Sequence, residues 1–477
     1  MNNGINLLHN HIERLSVWPL FFLRCIILMT ISGLTGCGTW IKSDYQRPPV
    51  NIPSQWSAMV SVADDSEKDS QQPWWYAFND PNLNHLIDKA LRKNNNLALA
   101  TLKVQQARLQ ADLTNTNLTP EVNISGSASV SKNVQTAGSS HSYNTNIGVS
   151  YALDVWGKFA RIRDIALWEV QATEWDKKSI ALELIAATAR LYWQIAYLNQ
   201  SILTTQQSIA YTQEVLDLIK LRYVAGADSR LDEILAEGNL ANQKITLTTL
   251  IQEREKAHNS LAILFDQAPN IREIERPNLT EQLPTIPVDL PVEILSRRPD
   301  LQAAELRLRK SLAKVDVTKA SFYPALNLTG SIGTASTALT DLLKNPLGVL
   351  GLNLALPFVQ WNTQQLNIKI TQVEYEQAVI QFRQTLYNAL AEVENALTTY
   401  MRYQETALQR KHLLEQALHS EKILAVRYRA GQISAKDWLA QQETRRLAAL
   451  NVAENHYQQL SQLMHLYQVL GGDTAHY

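Results

Sequence analysis

Two hydrophobic periods alternate along this chain and divide it into elements. Leu83, Leu86, Ile87, Ala90 and Leu91 recur at helical spacing behind Asp80, a good N-cap, and Pro81, a good first helical residue. This predicts a helix running to about Asn117. Past Pro120 the period becomes two. Val122, Ile124, Gly126, Ala128 and Val130 alternate with Asn123, Ser125, Ser127 and Ser129. After a polar loop, Ile147, Val149, Tyr151, Leu153 and Val155 alternate with small or polar residues. Strands are predicted over 121–131 and 144–155. At roughly ten residues each they have the length of a tilted membrane strand, and a soluble half-buried hairpin would show the same alternation.

From Lys158 to Ala225 there is neither Gly nor Pro. One helix over 158–225 is predicted, roughly 100 Å long, a length typical of coiled coils. Gly226 supplies its stop, and a second helix is predicted over 229–265. A linker over 269–298 follows, rich in Pro, Asn and Thr. Then the order recurs: a helix from 299 to about 320, strands over 325–333 and 350–358, a long helix over 363–430, a stop at Gly431, and a helix over 434–470. Pro120, Asn123, Gly126 and Ser127 correspond to Pro324, Asn327, Gly330 and Ser331, and Arg222, Tyr223, Ala225, Gly226 and Asp232 to Arg427, Tyr428, Ala430, Gly431 and Asp437. The chain reads as a duplication, with repeats over 73–268 and 299–472 and a tail over 473–477.

The N-terminus changes the picture. Val17 to Ile31 is apolar but interrupted by Arg24, and it leads to Leu34-Thr35-Gly36-Cys37, the layout of a lipoprotein processing box. Residues 1–36 are expected to be a signal peptide and Cys37 a lipidated first residue. Residues 37–72, with Pro48, Pro49 and Pro53, are expected to form an extended tether. No later run of about 18 apolar residues exists, so a membrane crossing has to be a barrel. The only cysteines are Cys25 and Cys37, and the net charge of −1 argues against a nucleic-acid partner. The histidines form no zinc motif, and no nucleophile elbow or phosphate loop occurs. No enzyme, cofactor or metal site is expected.

Four strands cannot close a barrel, and an open edge is not tolerated in lipid. Several chains must share one; a homotrimer gives twelve strands. The expected fold class is therefore mainly α with a membrane β-barrel: a duplicated helix, hairpin and long-helix repeat, four strands per chain in a trimeric twelve-stranded barrel, with the long polar helices projecting from the membrane as a bundle.

Several motifs carry a resemblance over nearly all of the mature chain. They are Leu34-Thr35-Gly36-Cys37, Asp44-Tyr45-Gln46-Arg47-Pro48, Leu153-Asp154-Val155-Trp156-Gly157, Arg297-Arg298-Pro299-Asp300-Leu301 with Ala304-Glu305, Phe322-Tyr323-Pro324, and Leu466-Tyr467 closing on Leu470-Gly471-Gly472. With these the chain resembles the TolC-type outer-membrane efflux channels, in the lipoprotein branch that serves resistance-nodulation-division pumps. Asn362 stands where the family usually has Gly. The resemblance implies that the trimeric barrel is continued by a periplasmic α-helical barrel, and that the whole is a passive exit duct anchored in outer-membrane lipid, docked to a periplasmic adaptor and an inner-membrane pump. Drugs or other small toxic compounds are the implied substrates; metal ions or secreted protein are the alternatives. A lipidated periplasmic adaptor is the rival of a different class, but it would have one helical hairpin, not two.

The resemblance also implies a periplasmic gate. Asp232 and Asp437 would ring the narrow end, with Tyr223, Tyr428, Arg222 and Arg427 linking the turns at Gly226 and Gly431. Ser229-x-x-Asp232 and Ser434-x-x-Asp437 read equally as capping boxes, and the arginines as helix C-terminal charges. A second acidic position expected one turn later in the second repeat is Ala440.

Overall fold

The computed structural model of the chain describes residues 41–56, 73–132, 138–280, 283–284 and 294–472. The signal peptide, Cys37, the 57–72 part of the tether and the 473–477 tail lie outside the described residues. The chain is mainly helical: α1 (Pro81–Lys93), α2 (Asn95–Thr116), α3 (Lys158–Val224), α4 (Arg230–Leu264), α5 (Pro299–Ala320), α6 (Trp361–Arg429) and α7 (Ala435–Val469). Four strands interrupt them: β1 (Glu121–Lys132), β2 (Ser139–Leu153), β3 (Ala325–Ser336) and β4 (Pro346–Ala355). No described helix is long and apolar enough to cross a membrane. Two compact units divide the chain. The first holds residues up to Pro49, Gln105–Ala172 and Ala304–Phe382; the second holds Val50–Val104, Thr173–Ala303 and Arg383 onward.

The first unit is built on one antiparallel sheet in the order β1-β2-β3-β4. Its register pairs Val122 with Val149, Val149 with Gly330, and Gly330 with Leu350. Directly paired residues share a face, so Val122, Ile124, Ile147, Val149, Leu328, Ile332, Leu350 and Leu352 form one apolar surface. Asn123, Ser125, Asn146, Asn327, Ser331 and Asn353 lie on the other. Both faces are open: Ile124 is 75% exposed and Leu350 82% on the apolar face, and Asn123, Ser125, Asn146 and Asn353 are exposed on the other. β4 begins earlier than the 350–358 predicted, pairing Pro346 with Thr334, and ends earlier because Pro357 opens a 3-10 turn through Gln360. Proline has no N–H to extend the ladder.

The strand-to-helix junction explains one quoted motif. Asp154 accepts from the Phe159 and Ala160 N–H groups at 3.0 and 2.8 Å, capping α3. Gly157 takes φ 72°. Trp156 donates Nε1–H to the Pro324 carbonyl at 2.8 Å and stacks on Tyr323 at 4.9 Å.

The second unit has a continuous core. Leu83, Leu86 and Ile87 of α1 meet Ile185, Tyr192 and Trp193 of α3, Leu386 and Val393 of α6, and Leu460, Leu463 and Met464 of α7. Asp80 caps α1 as the sequence predicts, accepting from Asn82 and Leu83 N–H at 3.1 and 3.3 Å. The single helix predicted to Asn117 is two. Asn94 leaves the helix at ψ 128°, accepts from Asn96 and Leu97 N–H, and donates to the Leu264 carbonyl at 3.0 Å. It ends α1 and caps α2 with one side chain. The linker after α4 is strapped down: Lys89 pairs with Glu273 at 2.5 Å, Arg276 with buried Asp80 at 3.4 Å, and Asn199 donates to the Arg276 carbonyl at 3.0 Å.

The Arg-Arg-Pro-Asp and Gly-Gly motifs prove to be one joint. Arg298 is buried and reaches Asp300 through two bonds of 3.0 and 2.7 Å, Glu392 at 2.8 Å and the Val469 carbonyl at 3.3 Å. Gly471, at φ 95°, lies so close to Arg297 that a Cβ there would stand 2.9 Å from its carbonyl. Only glycine fits such a contact at positive φ.

Candidate functional site

The two turns between long helices are built alike. α3 ends as Gly226 takes φ 76° and α6 as Gly431 takes φ 70°. Gly226 N–H bonds to the Tyr223 carbonyl at 3.0 Å and Ala227 N–H to the Arg222 carbonyl at 2.8 Å. Gly431 and Gln432 repeat this on the Tyr428 and Arg427 carbonyls, both at 2.9 Å. These are paired Schellman closures, which satisfy the last helical carbonyls at each turn.

The next helices start on capped aspartates. Asp232 accepts from Ser229 N–H at 3.0 Å and Ser229 Oγ at 2.6 Å, while its own N–H donates back to Oγ at 3.2 Å, a complete capping box. In the second turn Asp437 accepts from Ser434 Oγ at 3.0 Å and donates its N–H to it at 3.4 Å. Both carboxylates therefore have a local role at a helix N-terminus. Asp437 is exposed and Asp232 half-buried.

The side chains break the symmetry. Tyr223 is 42% exposed, whereas its counterpart Tyr428 is fully buried. Tyr428 packs at 4.9 Å on Trp438, within a cluster that includes Val215, Leu216 and Ile219 of α3 and Leu240 of α4. Its hydroxyl donates to Asp228 Oδ2 at 2.5 Å. The same oxygen accepts from Arg222 Nε at 3.1 Å, and the Arg222 guanidinium lies 4.7 Å over the Tyr428 ring. One carboxylate thus ties the first turn to the last turn of α6. Burial raises the Tyr428 pKa, and the neighbouring Asp228 carboxylate raises it further. Arg427 is exposed and stands apart from this cluster.

Sequence reasoning missed Asp228. The repeat holds the signal: six residues after Arg222 stands Asp228, and six after Arg427 stands Ile433, half-buried against the same cluster. The departure from symmetry falls where a charge joins the two halves. A carboxylate shared by a buried hydroxyl and a guanidinium works as a fastening between the two turns.

Two helix hairpins tied at their turns and an amphipathic open sheet define the class. The chain belongs to the Outer membrane efflux protein family, whose profile matches residues 86–265 and 290–472. It is 27% identical over 453 residues to Toxin and drug export protein A of Aggregatibacter actinomycetemcomitans, covering 94% of this chain and 97% of that one. It is 26% identical over 453 residues to the Cation efflux system protein CusC of Escherichia coli K12, covering 92% and 97%. Among solved structures it resembles the open state of the Neisseria gonorrhoeae MtrE outer membrane channel, with a TM-score of 0.81, 25% identity, and coverage of 90% of this chain and 97% of that one.

Proposed function

We propose that this protein is the passive outer-membrane exit duct of a tripartite efflux pump, working as a homotrimer anchored by lipid at Cys37. The observation that carries the reading is the four-stranded sheet. It has one exposed apolar face, one exposed polar face, and two outer edges, on β1 and β4, that pair with no other strand of the sheet. Lipid satisfies the first face and water the second, but neither satisfies an edge inside a bilayer. Three copies closing edge to edge satisfy both edges in twelve strands. The long polar helices then continue the duct into the periplasm, where the turns meet the adaptor and an inner-membrane pump.

The gate belongs to the same reading. The Asp228 bridge to Tyr428 and Arg222 holds the turns together in the closed state. Asp232 and Asp437 add six carboxylates near one axis while still capping their helices. Organic solutes are the proposed cargo. Relatives named for toxin and drug export and for cation efflux leave both classes open. The sequence offers no methionine cluster for soft metals, and Met464 is buried in the core.

Single cysteines test the reading, since the mature chain's own Cys37 is acylated. Ser127→Cys is expected to react with a membrane-impermeant thiol reagent in the reconstituted trimer and Ile124→Cys to resist it. A monodisperse monomer in detergent, or the opposite labelling pattern, would refute the shared barrel.

A further inference from the structure

The chain from Ser43 to Arg47 does not hang free. Residues 42–50 carry no helix or strand, yet Ser43, Tyr45 and Arg47 alternate onto one face of an extended chain and meet one face of α5. Ser43 donates from N–H and Oγ to buried Asp316 at 3.0 and 2.6 Å, and Arg161 pairs with the same carboxylate at 3.3 Å. The Arg309 guanidinium lies 4.7 Å over the Tyr45 ring. Arg47 reaches Glu305 at 2.5 Å, and Glu305 also holds Arg309 at 2.8 Å. Burial alone would raise the Glu305 carboxyl, but the two guanidiniums outweigh it and hold it below the usual range. The strap has a direction: from Arg47 back to Ser43 it travels from Glu305 to Asp316, towards the C-terminal end of α5.

In that direction, one helical turn past Asp316, lies a cavity of about 170 Å³ at the strand-to-helix junction. Leu153, Trp156, Phe159 and Tyr323 line it, with Asp154 and Lys158 as charged members of the lining. Ser43 stands six positions after Cys37, a reach of up to about 20 Å. Ala320 is only about 6 Å along the helix from Asp316.

We propose that this apolar cleft receives a fatty-acyl chain of the protein's own Cys37 anchor, and that the Ser43–Arg47 strap aims the anchor at it. The proposal rests on the acylation of Cys37 given above. The strap's contacts are spaced to match α5, its direction along α5 points towards the cleft, and most of the cleft's lining is apolar, as an acyl chain needs. The charged members of the lining, Lys158 and Asp154, suit the polar ester and headgroup region rather than the chain itself.

Cells expressing the full chain are fed a diazirine fatty acid, irradiated, and the purified protein is digested and mapped by mass. The expected adduct joins the Cys37 acyl group to the peptide spanning 152–159 or 320–326. Ser43→Ala and Arg47→Gln, each leaving the thermal midpoint near wild type, are expected to lower that adduct severalfold. Cleft adducts formed only with phospholipid, or Cys37 adducts mapping only to other lipids, would overturn the proposal. An unchanged yield in both folded strap variants would overturn the strap's part. Absence of any acyl group on Cys37 would remove the lipoprotein reading itself, and this proposal with it.

Discussion

Replacing Asp228 with Ala isolates the fastening between the turns. The variant leaves the Tyr428 hydroxyl without its acceptor in a fully buried position, which costs about 1–3 kcal/mol. It also frees Arg222, whose ion pair is partly solvated and contributes at most about 1 kcal/mol. A loss of about 1–4 kcal/mol per chain follows, all of it in the state where the turns touch. A loss of about 2 kcal/mol moves a closed-to-open equilibrium roughly 30-fold. Tyr428→Phe removes only the hydroxyl and leaves Asp228 paired with Arg222, so about 1 kcal/mol is expected. Single-channel recordings in planar bilayers are expected to rank leak conductance as Asp228→Ala above Tyr428→Phe above wild type. The pH dependence has a definite sign. The Tyr428 pKa is raised above its ordinary value of 10.0, so the contact is fully present below pH 10 and fades as pH rises beyond it. Wild-type leak should climb only above pH 10, and Tyr428→Phe should lose that climb. A folded Asp228→Ala channel with unchanged conductance, or a larger effect from Tyr428→Phe, would refute this accounting.

Other changes test other joints. Gly471→Ala places a Cβ 2.9 Å from the Arg297 carbonyl at φ 95° and is expected to cost about 2 kcal/mol or more, read as a lower thermal midpoint. Gly238→Ala, mid-helix in α4 with nothing within 4 Å of the new Cβ, should stabilise by about 0.5–1 kcal/mol in the same assay. Asp232→Asn with Asp437→Asn should weaken cation selectivity in bilayers while costing about 1 kcal/mol or less per site, because Asn also caps; an unchanged reversal potential would leave these residues as caps alone. The Glu305 carboxyl is held below its ordinary value of 4.5, so its strap contacts are present above that pH and lost as pH falls through the lowered value. Limited proteolysis around residues 41–49 should therefore accelerate only in acid.

What the sequence determined by itself is whatever depends on neighbours in the chain. Asp80 with Pro81 starts a helix because a carboxylate can turn back on the N–H groups two and three residues ahead. Gly226 and Gly431 end helices because positive φ is cheap only for glycine. Period-two alternation marks the strands because the pleat sends successive side chains to opposite faces. The Ser-x-x-Asp boxes are equally local. The tertiary structure decided what depends on residues far apart. Asn94 breaks a helix of continuous pattern because Leu264, distant in sequence, offers it a carbonyl. Tyr428 is buried while its twin Tyr223 is exposed, because Asp228 belongs to one repeat only and Trp438 packs against one ring only. Arg298 and Gly471 read as separate motifs, yet they meet in one joint 173 positions apart in the numbering. Ser43, Tyr45 and Arg47 look like solvated tether until α5 presents Asp316, Arg309 and Glu305 at matching heights. Local pattern sets each backbone element, since its cost is paid within a few residues. Which side of a duplicated motif becomes a fastening is set only when the halves pack, because burial and charge pairing are properties of the contact and not of either segment.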